Sequence, residues 1–360
     1  MKLIFIITPN SGISYHRLVN PMSYIELKEG DEGEMLPDTD LTGMLDCDIL
    51  MYNKYCNTPL EHIQQLQKKG MKVIVDVDDY WQLPTHHIHY QKWKDKGHSD
   101  KVAAHIRNAD VVTCTTLLLQ QKVRELNKNT VVIPNAFPYG CENYRPNPIP
   151  HGGTSFIYVG STTHLEDVKL LEGKFRRINS DSYIKNNAEF IIAGYTKTVS
   201  KRFFTIWDQR EDNQNYVQVK INGNYDRIVN IFANTGCHRV LDAVDPINYI
   251  DFYDQADVSI IPLVDSEWNS LKSPLKLAEA GCKQIPVICS RVQPYSEYSH
   301  YKGIMWVDTP DDWIKHIKWC IKNPGGVAEK GLQMVEDTHR DFDLEKWNKV
   351  REQLIYSLVK

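Results

Sequence analysis

Between Asp257 and Ser290 the chain reads as strand, loop, helix, tight turn and strand, and this passage limits the folds open to it. Asp257-Val-Ser-Ile-Ile-Pro-Leu263 is a short apolar run rich in β-branched residues, which marks a buried strand. Asn269 to Lys272 then forms a loop. Ser273-Pro274 is a helix start, with Ser at the N-cap and Pro at the first helical position. Leu275, Ala278 and Glu279 continue at helical spacing, Gly281 suits a C-cap, and Ile285 to Cys289 is the next strand. Two buried strands joined through one helix require a parallel sheet.

The same alternation runs through the first half. Strands are predicted at Lys2–Thr8, Ile49–Tyr52, Lys72–Val77, Val111–Thr115 and Thr130–Ile133, and helices at Tyr15–Leu27, Leu60–Lys69, Lys101–Asn108 and Leu117–Leu126. A sheet covered by helices on both faces follows, so the fold class is α/β. The second half opens the same way. Ser155-Phe-Ile-Tyr-Val leads through Gly160-Ser161-Thr162-Thr163-His164 into a helix over Leu165–Arg177, and Glu189–Ala193 is the next strand. Tyr249–Asp257 reads as a short helix, and the tail as helices over Asp311–Ile321, Ala328–Asp337 and Leu344–Leu358. No internal repeat is evident. At 360 residues the chain is long enough for two domains. Pro138 to Gly153 is dense in Pro, Gly and Asn, as a linker would be. The expected division is 1–140, a linker at 141–154, a second domain at 155–340, and a C-terminal helix at 341–360.

Composition removes several classes. The formal net charge is −4, so no global basic field points to nucleic acid. No stretch approaches ~18 apolar residues, so no membrane span is expected. Met1–Thr8 is too short an apolar run for a signal peptide and runs into Pro9-Asn10-Ser11-Gly12, so it is read as the first strand. The eight cysteines form no Cys-x-x-Cys pair, and without an export signal a disulfide framework is not expected; the chain is read as cytoplasmic. The 13 histidines show no zinc spacing, and no metal site is assigned.

Five segments can carry chemistry. The helix starting at Ser273 presents free N–H groups and a positive dipole between Lys272 and Lys276, which suits a phosphate. Glu279, six residues past Ser273, lies about 1.5 turns further on, within reach of a ribose. Ordinary solvated lysines on a surface helix would have the same local pattern. In the N-terminal half, Gly12 follows the first strand, where ligands of open α/β sheets bind. Asp76, Asp78 and Asp79 crowd the end of the strand Lys72–Val77; such crowding points to a metal, a cation or a general base, or else Asp78 and Asp79 cap the next turn. Trp81 to His98 is predicted as a loop with aromatics between basic and titratable groups. Its aromatics could stack on sugar or base faces, with Trp81, His86 and His87 as the recognising residues, or it is a solvated lid. Lys197 to Arg210 is a further basic, aromatic patch, or an amphipathic helix packed on the domain.

The string Asn269-x-x-Lys272-Ser273-x-Leu275-Lys276-x-x-Glu279, followed by Pro286-Val-Ile-x-Ser290, resembles the donor-binding segment of retaining GT-B-fold glycosyltransferases, especially short bacterial and phage-encoded ones. Ser-Gly12-x-x-Tyr-His16-Arg17-Leu, Ile-Pro-Asn135 and Gly160-Ser161-x-Thr163-His164 match the same family, so the resemblance spans Gly12 to Ser290. The family usually carries a second glutamate eight positions before Glu279; here that position is Leu271.

The resemblance implies two Rossmann-like domains facing across a cleft, with a last helix that can cross back to the first. It implies transfer of a sugar from a nucleoside diphosphate sugar, most simply a UDP-sugar, to an acceptor hydroxyl, with retention and without a divalent metal. Lys272, Ser273, Leu275, Glu279, Gly12, Gly160, Ser161 and Thr163 would hold the donor. Lys276 and His164 would act at the diphosphate or sugar, and Asp78 or Asp79 would orient the acceptor hydroxyl. His16 and Arg17 would face the interdomain cleft; alternatively Arg17 only pairs with a nearby carboxylate. The acceptor is left open between a glycan, a small molecule and a hydroxymethylated pyrimidine in phage DNA. A GT-B-fold epimerase and a non-catalytic nucleotide-binding module are the other readings. Oligomeric state is not legible.

Overall fold

The computed structural model describes residues 1–195 and 223–359. The basic patch Lys197 to Arg210 falls outside them.

Among the described residues, two six-stranded sheets form, and every strand pairing within them is parallel. The first contains β1 (Lys2–Ile7), β2 (Glu32–Pro37), β3 (Ile49–Asn53), β4 (Lys72–Val77), β5 (Val111–Cys114) and β6 (Thr130–Val132), in the order β2-β1-β3-β4-β5-β6. The second contains β7 (Thr154–Val159), β8 (Ala188–Ala193), β9 (His238–Leu241), β10 (Val258–Ile261), β11 (Val287–Ser290) and β12 (Ile304–Val307), in the order β12-β11-β10-β7-β8-β9.

Strand alternation divides each sheet into two buried faces. Ile4 and Ile6 join one core with Leu50, Val73 and Val75, while Leu3 and Phe5 face the opposite core. Ile157 and Val159 face one side of the second sheet; Phe156 and Tyr158 face the other. Parallel strands buried on both faces read as continuous apolar runs, which is why the central strands are legible from sequence.

The edges are not. β2, Glu-Gly-Glu-Met-Leu-Pro, pairs only with β1 and is mostly exposed, so it carries charge and proline in place of an apolar signal. β9 and β12 are likewise edge strands of four residues, too short to register as periodic. The predicted helix Tyr15–Leu27 is instead a turn at Gly12–Ser14, a wide π turn at Tyr15–Val19 and a short turn at Asn20–Ser23. Leu165–Arg177 is also broken, into Leu165–Val168, Lys169–Leu171 and Glu172–Asn179. The predicted loop after Trp81 contains a helix, Tyr90–Asp95, and a second helix begins at His98 after Gly97 in the left-handed region.

The last helix, Leu344–Leu358, packs on the first sheet. Ile355 joins the core of Leu3, Phe5 and Ile49, and Asn348 Nδ2 donates to Pro21 O at 2.9 Å. The chain crosses over where Phe137 N donates to Phe342 O and Leu344 N to Phe137 O, each at 2.9 Å.

Candidate functional site

Each sheet has a place where strand order reverses, and there the loops leaving adjacent strands part and open a crevice at their carboxyl ends. In the first sheet it lies between β1 and β3; in the second, between β7 and β10. Both crevices open into one cavity of about 970 Å³. Gly12 follows β1 and Lys54 follows β3; Gly160, Ser161, Thr163 and His164 follow β7, and Leu263 follows β10. The helix Leu275–Cys282 presents its first turn to the same space, with Lys272, Ser273, Lys276 and Glu279 on the wall.

Local geometry departs from the sequence reading at both ends of that helix. Ser273 is not the N-cap. Pro274 occupies that position without a side-chain bond, and Ser273 Oγ accepts from Asn135 Nδ2 at 2.8 Å. The hydroxyl is thus used to join the two halves of the chain. Gly281 is not the C-cap either. It lies inside the helix, where a Cβ would collide with Thr338 of the helix Pro324–Phe342; the chain turns instead at Gln284, with φ of 57°. The glycine is needed for helix-to-helix approach, which spacing alone does not reveal.

Glu279 is fully buried. Oε2 accepts from Tyr253 Oη at 2.6 Å, while Oε1 has no hydrogen-bond partner among the described residues. Burial raises the carboxyl to about 7, against the lowering effects of Tyr253 and Lys276. A half-satisfied buried carboxylate on a cavity wall is an acceptor aimed at hydroxyl donors. Lys272 Nζ lies 3.9 Å from the centre of the Trp268 ring, and burial lowers its ammonium to about 8, with Lys276 adding to the effect.

Around β7, a Cβ at Gly160 would lie 2.6 Å from Tyr158 Oη, so only glycine fits this turn. Ser161 Oγ and Thr163 Oγ1 share a hydrogen bond at 2.5 Å. His164 Nδ1 bonds Asp167 Oδ2 at 2.8 Å.

On the opposite wall, a Cβ at Gly12 would meet no protein atom within 4 Å. His16 also lines the cavity, its ring edge-on to Phe137 and Tyr249, and burial next to Arg17 holds its imidazole down at about 4. Arg17 contributes to the lining, but its guanidinium is committed: Nε and Nη2 bond Asp76, and Nη1 donates to Asn135 Oδ1 at 3.2 Å. The ion pair with Asp76 holds it in the cavity wall.

The crowded carboxylates are resolved by cations of the chain itself. Burial pushes the Asp76 carboxyl up, and Arg17, Thr113 and Asn53 more than reverse this. Lys54 pairs with Asp78 at 3.0 Å and with Asp79 in a closer contact. Burial and the Asp79 charge nevertheless leave the Asp78 carboxyl above its usual range. Lys54 has φ of 55°, a strained conformation for a residue with a side chain, and it lines the cavity. Sequence reading missed it; its place just beyond a strand's carboxyl end was the available signal.

Two residues expected to meet an acceptor lie off the cavity wall. Trp81 is only 4% exposed and packs in the core between the first sheet and its helices. Its outward contribution is a backbone carbonyl that accepts from Trp93 Nε1 at 2.9 Å. A large aromatic beside an apolar strand was core material. His86 is exposed and lies off the cavity wall. His87 does line it, with its ring 5.3 Å from Trp268 across the cleft and its imidazole lowered to about 4, chiefly by burial. His89, Trp93 and Tyr80 extend this wall. Among the described residues no group of three or more metal-ligating side chains has a geometry that could hold an ion, and no helix is long and apolar enough to cross a membrane.

Known structures of this shape exist. The chain is similar to sucrose-phosphate synthase from Thermosynechococcus elongatus, at 14% identity and a TM-score of 0.67 over 99% of both chains. It is similar to Anabaena HepE solved with UDP, at 11% identity and a TM-score of 0.62 over 99% of this chain and 100% of that one. An α-glucosyltransferase solved with UDP and a DNA 13-mer containing a hydroxymethyluracil base matches at 13% identity and a TM-score of 0.59, over 100% of this chain and 99% of that one. No family profile and no curated protein sequence matches. At these identities the likeness establishes the fold, which is GT-B.

Proposed function

We propose that this chain is a glycosyltransferase that moves a sugar from a UDP-sugar to an acceptor hydroxyl, with retention and without a divalent metal. The observation that carries the reading is Glu279: a fully buried carboxylate with one oxygen unpartnered among the described residues, on the wall of a cavity that also holds Lys272 and Lys276. Glu279 binds the ribose hydroxyls. Lys272, Lys276 and the N-terminus of the helix Leu275–Cys282 bind the diphosphate and offset the charge that develops as it leaves. Ser161, Thr163 and the Gly160 turn complete the donor wall, Leu275 packs against the nucleoside, and Gly12 faces the donor from the opposite sheet.

The acceptor enters from the first-sheet side. Asp79, held by Lys54, orients its hydroxyl; Asp78 shares that lysine; His16 and His87 flank the approach. The fold's neighbours solved with UDP support the choice of nucleotide. Because one neighbour was solved with modified DNA, a hydroxymethylated base is tested alongside glycans and small alcohols.

Thermal unfolding with UDP, GDP, ADP, TDP and their sugars, with and without EDTA, tests the reading. A ligand at about 100 times its dissociation constant adds roughly 2.7 kcal/mol, a readily seen shift. Stabilisation by UDP and a UDP-sugar that persists in EDTA is expected. Stabilisation only with metal would remove the metal-independent mechanism, and no shift with any nucleotide would remove the donor site. Release of UDP only when an acceptor is supplied separates a transferase from an epimerase or a binding module.

A further inference from the structure

One buried carboxylate behind the donor wall directs its three hydrogen bonds at loops of the cavity. Asp167 is 4% exposed and sits in the first turn after the β7 loop. Its Oδ1 accepts from Val264 N at 2.9 Å and from Asn269 Nδ2 at 3.0 Å. Its Oδ2 meets His164 Nδ1 at 2.8 Å. A single side chain therefore ties the loop after β7 to the loop after β10, the two sides of the crevice in the second sheet.

The bond to His164 fixes a proton. A carboxylate carries only lone pairs, so Nδ1 must be the donor. Burial works against the Asp167 charge, but His164 and Lys272 hold the carboxyl below its usual range. Neutral imidazole has one N–H, so Nε2 is then bare. His164 lines the cavity with its side chain 19% exposed, and Nε2 is the ring nitrogen left to that space.

We propose that Asp167 is a positioning residue that locks His164 in the Nδ1–H form, so that its bare Nε2 accepts a hydrogen bond from a hydroxyl of the donor sugar and does not contact the diphosphate. The inference rests on the donor reading above. A phosphate oxygen would set lone pair against lone pair at Nε2; a hydroxyl brings the required hydrogen. Charging the ring, which would make Nε2 a phosphate donor, is opposed by burial and by Lys272 and Lys276, which together lower the imidazole to about 3.

Asp167→Asn is the decisive variant. The amide oxygen must stay on Val264 N and Asn269 Nδ2, so the amide N–H₂ turns to His164 Nδ1. That nitrogen becomes the acceptor and Nε2 acquires the proton. Imidazole ¹⁵N spectra of the free protein should show His164 Nε2 unprotonated in the wild type and protonated in Asp167→Asn. Calorimetric titration should show UDP-glucose binding weakened about tenfold more than UDP binding, which falls only as far as Lys272 loses the supporting Asp167 charge. His164→Ala, which leaves the bonds to Val264 and Asn269 in place, should show the same loss confined to the sugar nucleotide. A protonated Nε2 in the wild type overturns the proposal. So does equal weakening of UDP and UDP-glucose, which would make Asp167 a loop fastener only. A wild type that binds neither ligand overturns the donor reading and the sugar contact with it, while the spectra still decide whether Asp167 sets the tautomer.

Discussion

Asn135 Nδ2 donates to Ser273 Oγ at 2.8 Å, joining the end of the first sheet's segment to the loop before the helix Leu275–Cys282. The same side chain accepts from Arg17 Nη1, which is fixed to Asp76. The position of that helix is thus referred, through one amide, to a buried ion pair in the opposite half. Asn135→Ala should cost about 1–2 kcal/mol of this cross-cleft interaction. On the proposed function it raises KM for the UDP-sugar several-fold with a smaller change in kcat. Steady-state kinetics check this, and a fall in kcat alone would count against a placing role.

Glu279 gives a pH signature. Its folded value, about 7, is raised above the ordinary 4.5, so the folded state holds more protons between those values. Its contribution to stability is therefore fully present below about 4.5 and is lost as pH rises through about 7. Glu279→Gln should remove that loss, leaving the variant less sensitive than the wild type between pH 5 and 8 in denaturant titrations. Ribose hydroxyls favour the charged form, so UDP binding should release protons and tighten as pH rises towards about 7. Proton release measured in two buffers of different ionisation heat tests this.

Lys272 titrates in the opposite sense. Burial lowers its ammonium from 10.5 to about 8, so in the free protein it loses charge as pH rises through about 8. Turnover at low UDP-sugar should fall above that pH. Lys272→Arg keeps its charge at any accessible pH and should abolish the alkaline limb while retaining part of the activity. An unchanged limb in the variant would take Lys272 off the diphosphate.

Trp81 and His86 separate packing from recognition. Trp81→Ala empties a core position and should destabilise by about 3–5 kcal/mol. His86→Ala, at an exposed position, should lie within about ±0.5 kcal/mol of wild type. Neither should change KM for the acceptor by a route other than stability. Melting curves beside acceptor kinetics decide between the two.

The sequence by itself determined the class of fold and the two lysines and the glutamate that one segment brings to the cavity. Buried parallel strands must be apolar throughout, so the central strands of both sheets announce themselves. Residues of one helix and the loop before it lie close in sequence, so Lys272, Lys276 and Glu279 can be read from one string. Tertiary structure decided what lies far apart in the chain. Arg17 reads either as a cleft residue or as the partner of a carboxylate until the fold shows it both lining the cavity and paired with Asp76, and Ser273 reads as a cap until Asn135 reaches it. Gly281 reads as a turn until Thr338 packs against it. Asp167 has no local signature, because its partners come from other loops, and Lys54 shows only its place just beyond a strand's carboxyl end. Edge strands such as β2 stay silent because solvent, not a core, selects their residues.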